Sequence, residues 1–229
     1  MPRHRLAALS CALLAAALPA FADDAPAQAQ AKVVHCGHLF DSASGRMLGE
    51  TSIVVRGERI ESVQSGAIPA PAGAEVVELG DATCLPGLID AHTHLTGETS
   101  PTGYSDQFRW NVADYAIRST VYADRTLQAG FTTVRNLGDN QNESIALRNA
   151  INAGVLPGPR IFTAGMAIGS TGGHADGTDG YRQDLQGDPG PKQGIINGPE
   201  AAWKAVRQHY KDGVDLIKIM PSGGVLDES

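Results

Sequence analysis

The chain has 229 residues, enough for one large domain or about one and a half. Hydrophobic residues make up 42%, which supports a packed core, and the 27 glycines predict many tight loops. The net charge is -7 with no basic stripe after residue 5, which excludes the electrostatic footprint of a nucleic-acid binder.

Residues 1–22 read as a secretory signal peptide. A basic MPRHR stretch precedes an apolar LAALSCALLAAAL run, and Ala20 and Ala22 then stand ahead of Asp23 and Asp24. The apolar run is too short to span a bilayer comfortably, so an exported protein is expected, periplasmic or secreted, with no membrane anchor after cleavage. Cys11 falls inside that run. The mature chain keeps Cys36 and Cys84; two separate buried thiols are the simpler reading, and pairing stays open. Residues 23–31, DDAPAQAQA, form a polar linker.

From Lys32 the pattern changes. KVVHCGHLF, TSIVVRGERIESVQSG and AEVVELGDATCLPG are short β-branched runs broken by Gly, Asp and Ser. They predict a small all-β unit over residues 32–84, with Gly57 in a hairpin turn. After Pro86 the rhythm becomes strand, loop, helix. GLIDAH is the first strand, followed by one helix capped by Ser105 or Asp106 and stopped by Gly130. FTTVRNLG is the second strand, and NESIALRNAINAG the next helix, ended by Gly154. PRIFTAG is the third strand. A helix with Pro199 in its first turn and Gly213 past its end follows, and VDLIKIM is the fourth strand.

Strands alternating with helices predict a parallel sheet, and both an open doubly wound sheet and a (β/α)8 barrel fit. No glycine-rich phosphate fingerprint follows the first strand. Polar residues gather instead at strand ends: Asp90, His92 and His94, then Asn136 and Asp139, the Gly169–Gly180 loop, and Lys218 with Ser222. A barrel puts its chemistry at that face. The run ADGTDGYRQDLQGDPGPKQG reads either as a rim or lid loop or as a disordered insertion.

His92 and His94 are two residues apart, so on a strand both imidazoles point to the same side. Two neutral imidazoles at that spacing make a half-site for Zn2+ or a similar metal, and Asp90 shares their parity. A bare His-x-His pair is weak evidence alone. His35, His38 and His209 have no metal spacing.

The surrounding segments add specificity. LPGLIDAHTHL resembles the first-strand signature of the amidohydrolase superfamily. GFTTVRNLGD, GPRIFTAG, STGGHADG and GVDLIKIMPSGGV, in that order, resemble later segments of the branch that holds imidazolonepropionase and prolidase-like metal-dependent dipeptidases. The resemblance runs over nearly all of residues 32–229. It implies a (β/α)8 barrel whose first half, strands one to four, is residues 85–229, preceded by part of a β-sandwich at 32–84. It also implies two divalent metal ions, taken as Zn2+, with His92 and His94 as ligands and Lys218 carboxylated by CO2 to bridge them. The other readings of Lys218 are a pair with Asp215 or a side chain reaching solvent. His174 is implied as a substrate contact, against a merely exposed loop histidine. Arg135 is compatible with either face, and Asn136 stands where relatives often carry Asp.

The implied reaction is hydrolysis of the amide bond of dipeptides or N-acyl amino acids by a hydroxide bridging the two metals. The small peptide or N-acyl amino acid is the expected partner; a homo-oligomer stays open. The resemblance also calls for histidines on strands five and six and an Asp on strand eight, none of which lies in these 229 residues. The catalytic acid–base residue is therefore unassigned. The chain is expected to be the N-terminal part of a longer protein and inactive by itself. Two other readings are a deaminase or cyclic-amide hydrolase on the same fold, and a non-catalytic remnant that binds a metal or a partner.

Overall fold

A computed structural model describes residues 30–225 and Asp227. The expected signal peptide, Cys11 and nearly all of the expected linker lie outside the described residues. The chain divides into two compact units at Leu85/Pro86.

Among the described residues the first unit holds seven strands: β1 (Ala31–Cys36), β2 (His38–Asp41), β3 (Arg46–Leu48), β4 (Thr51–Arg56), β5 (Arg59–Ser65), β6 (Glu75–Glu78) and β7 (Thr83–Cys84). Alternation along β1 and β4 turns Val33 and Val54 inward, where they are buried. They form one sheet in the order β5-β4-β1-β6 and a second in the order β3-β2-β7. The β4–β5 hairpin turns at Gly57, whose φ of 59° suits glycine.

Cys36 and Cys84 form a disulfide with a Cα–Cα distance of 5.9 Å. This corrects the expectation of two separate thiols. The pairing of β2 with β7 sets Cys84 opposite Leu39, three residues beyond Cys36. Long-range strand register, which no local pattern reveals, brings the sulfurs together. The bond joins the two sheets, since β1 lies in one and β7 in the other. Closing a loop of 48 residues is worth about 4 kcal/mol on chain-entropy grounds. Reduction, or Cys84→Ser, is therefore expected to lower the thermal midpoint of this unit by several degrees in a melt followed by circular dichroism. An unchanged midpoint would rule out a stabilising bond.

The second unit begins with β8 (Leu88–Thr93). It continues through α1 (Gly103–Asp106), α2 (Val112–Gln128), β9 (Phe131–Asn136), α3 (Glu143–Asn152), β10 (Arg160–Thr163) and β11 (Ile168–Gly169). The short helix α4 (Gln183–Gln186), a 3-10 turn (Pro191–Gln193), α5 (Pro199–Asp212) and β12 (Ile219–Met220) complete it. The strands β10-β9-β8 form a parallel sheet, and β11 pairs in parallel with β12. Leu95, Ala123, Val134, Leu147 and Ile161 pack as its core.

Two predicted elements differ. The helix expected from Ser105 to Gly130 is broken. Ser105 uses its hydroxyl on the Thr102 carbonyl, and the main helix α2 restarts behind Asn111, whose N–H donates to Asp114 at 2.8 Å. A carboxylate three residues into a helix is itself a start signal, and it outcompetes continuation from the shorter turn. The fourth strand is also shorter than VDLIKIM suggests: only Ile219–Met220 joins a ladder. At Asp215 the backbone N–H donates to Thr163 O (2.8 Å), while its side chain accepts the Thr163 N–H (2.9 Å). A side chain thus takes the place of a main-chain rung.

Candidate metal centre and substrate cavity

The strand β8 carries His92 near its end, and His94 follows directly after it. Their ring centroids are 5.5 Å apart. Pairing with β9 shifts register between Asp90 and Thr93, a local irregularity of the kind that re-aims side chains at strand ends. Arg135 fills the resulting gap by donating its Nε hydrogen to Ala91 O at 2.7 Å, which settles its role as a brace across the two strands. Asp90 Oδ1 accepts the His92 N–H at 2.9 Å.

His94 is held more closely. Its Nδ1 lies 3.0 Å from the Gly138 carbonyl oxygen. A carbonyl only accepts, so Nδ1 carries the hydrogen, and in the neutral ring Nε2 is the nitrogen left to bind a metal. Asn136 is fully buried beside it. Its Oδ1 accepts the Leu95 N–H at 2.7 Å, and its Nδ2 donates to the same Gly138 oxygen at 3.3 Å. An Asp here would lack that donor and would set a charge against the carbonyl. The amide, rather than the charge, is what this position requires. Local desolvation, then the nearby Lys218 and His94, with Arg135 contributing less, push the exposed His92 ring below the usual imidazole range, and Asp90 opposes them. That favours the neutral, metal-binding form.

Lys218 is half-buried. The alternative partner Asp215 is taken: Arg148 reaches its carboxylate at 2.6 Å. Among the described residues no acidic side chain pairs with the Lys218 ammonium group. Nor do the described residues hold a cluster of three or more His, Cys, Asp and Glu side chains able to bind a metal. The pair His92–His94 fits one side of a divalent-metal site, because the Nδ1 hydrogen of His94 is committed to Gly138 and Nε2 is the nitrogen left over. Lys218 lies close enough to His92 to act on its charge.

Asp139, grouped with the site residues on sequence, has another task. Its carboxylate accepts the N–H groups of Asn142 (2.8 Å) and Ser144 (3.0 Å) and so starts α3. His209 is fully buried and bonded to the Ala205 and Met166 carbonyls.

A cavity of about 630 Å3 opens beside His94. Tyr115, Met166, His174, Ile195 and Met220 share its lining. The structure thus brings His94 and His174 to one space. Met220, two residues beyond Lys218, lies on the same wall. Ala175, Asp176, Pro189 and Gln193 of the run 175–194 also line this cavity. Gly169 N–H donates to Gly194 O (3.0 Å) and Ile196 N–H to Gly169 O (2.8 Å), which ties the run to β11. Sequence reasoning gave Gly138 no role and set Asp227 aside as too early in the topology for the strand-eight Asp; Asp227 lies 2.6 Å from His174 Nδ1. Neither belongs to a spacing motif, so no local signal marked them.

Asn136→Asp is expected to weaken metal binding about tenfold or more, by the usual penalty for a lost outer partner of a ligating histidine. Chelator competition measures it, and equal affinity would contradict the positioning role of Asn136.

Comparison with known proteins adds the following. The model of the Amidohydrolase family matches residues 83–228. Ochratoxinase from Aspergillus niger is 31% identical over 157 residues, covering 62% of this chain and 32% of that protein. The solved structure of a Xaa-Pro dipeptidase with bound methionine in the active site superposes with a TM-score of 0.81 at 42% identity. It covers 86% of this chain and 48% of that one. A prolidase complexed with N-methylphosphonate-L-proline gives a TM-score of 0.71 at 28% identity, covering 86% of this chain and 50% of that one. The chain therefore spans about a third of the curated relative and about half of the solved ones. These neighbours are barrel proteins, so the barrel is the architecture to which β8–β12 belong, and the open doubly wound sheet is set aside.

Proposed function

The chain belongs to the amidohydrolase family, and on that premise we propose that the protein hydrolyses the amide bond of dipeptides or N-acyl amino acids with the help of divalent metal ions. The observation that carries the reading is the ordered pair His92–His94, with the Nδ1 hydrogen of His94 committed to Gly138 and its Nε2 left as a ligand. The dipeptidase and prolidase likenesses favour a peptide-like amide.

Family members generally use divalent metals. In the proposed site His92 and His94 would hold one ion, taken as Zn2+, and Lys218, carboxylated by CO2, would be the group shared with a second. The absence of an acidic partner for Lys218 among the described residues agrees with that modification. When bound, divalent metal would supply Lewis-acid polarisation of a carbonyl and a lowered pKa for a bound water. The chain's own residues do the rest of the positioning. Asn136 and Gly138 fix the His94 ring, Arg135 braces the β8 end, and His174 contacts the substrate from across the cavity. The signal-like residues 1–22 and the Cys36–Cys84 disulfide both favour an exported, periplasmic or secreted enzyme.

Lys218→Ala in the whole protein is expected to abolish release of amino acid from dipeptides and to lower metal content. Unchanged turnover would contradict the bridging role. Release of ammonia, or a ring-opened product without free amino acid, would instead assign a deaminase or a cyclic-amide hydrolase.

A further inference from the structure

The segment after β12 folds back onto the loop that carries His174. The His174 N–H donates to Ser222 O at 3.2 Å. The ring edge bearing Nδ1 and Cε1 lies against Gly224, where any side chain would overlap it. The Nδ1 atom itself is 2.6 Å from Asp227 Oδ1. The second oxygen of Asp227 accepts the Gly224 N–H. The Asp227 carboxyl is therefore fully engaged, and its side chain is only 12% exposed while that of His174 is 46% exposed. The contact with His174, and then the Gly224 N–H, hold Asp227 below the usual carboxylate range.

A carboxylate only accepts hydrogen bonds, so the hydrogen sits on Nδ1. His174 also lines the cavity that His94 shares. We infer that Asp227 is a positioning residue: it fixes the Nδ1-protonated form of His174 and turns Nε2 toward the free carboxylate of the bound substrate. With a second proton on Nε2 the ring is a cation, its charge balanced by Asp227 on one side and by the substrate carboxylate on the other. Dipeptides and N-acyl amino acids share such a carboxylate, so one subsite serves both classes. The inference rests on the amide-hydrolase reading for the identity of the substrate; the geometry of the pair stands apart from it.

The test compares N-acetyl-L-methionine, which carries the carboxylate, with its carboxamide, which does not. Binding of each to the whole protein is measured by calorimetry for the wild type, Asp227→Asn and Asp227→Glu. Asp227→Asn is expected to weaken the acid about tenfold, the usual size of a charge-assisted hydrogen bond, and to leave the carboxamide within about twofold. Asp227→Glu is expected to restore part of the loss. Nitrogen-15 spectra of His174 give a second readout: one Nδ1-protonated form in the wild type, and a mixture in Asp227→Asn. Equal weakening of both ligands, or no weakening with an unchanged His174 spectrum, would overturn the inference. If the wild type binds neither ligand, the substrate reading fails, and the spectra alone decide the role of Asp227.

Discussion

The site depends on one buried carbonyl. The Gly138 oxygen lies 3.0 Å from His94 Nδ1 and 3.3 Å from Asn136 Nδ2, while Asn136 Oδ1 holds the Leu95 N–H at 2.7 Å. These three bonds lock both the ring of His94 and the main chain just beyond it. Imidazole offers a metal only the nitrogen that its other partner leaves bare, so the tautomer is decided in the β9–α3 loop rather than on β8. That loop is itself held down by Asp139, whose carboxylate anchors the start of α3. Helix capping and ligand orientation are thus parts of one short stretch, Asn136 to Ser144.

The same economy appears on the far wall of the cavity. The pairing of β11 with β12 sets Gly169 opposite Met220, so the loop after β11 and the segment after β12 leave the sheet side by side. The first carries His174 and the second carries Asp227. Gly169 and Gly224 both lack room for a side chain, the one against Ala175 and Met220, the other against the His174 ring. Close approach at these glycines is what lets two loops share one face of the cavity.

The sequence made much of this legible. His92 and His94 drew notice by their parity, and Lys218 through the family resemblance; the contacts around them belong to the fold. The breaks at Gly57, Gly130 and Gly213 followed from residue type, because turn chemistry is local. The disulfide, the partner of Asp215 and the partner of His174 did not follow. Each joins residues dozens of positions apart: Cys36 with Cys84, Arg148 with Asp215, His174 with Asp227. Such pairs depend on register and loop course, which a single sequence does not encode in any short pattern. The shortened fourth strand has a similar cause. Asp215 competes for the Thr163 rung with its own side chain, and nothing in LIKIM announces it. Asn136 was visible, yet only as a missing charge; its value as a donor emerged once its neighbours were known.

The most direct measurement is X-ray absorption at the zinc edge of the metal-loaded whole protein. Expected are imidazole nitrogens at about 2.0–2.1 Å from zinc, together with a second metal at about 3.5–4 Å. A first shell of oxygen alone, with no imidazole scattering and no neighbouring metal, would contradict the assignment of His92, His94 and Lys218 to a two-metal centre.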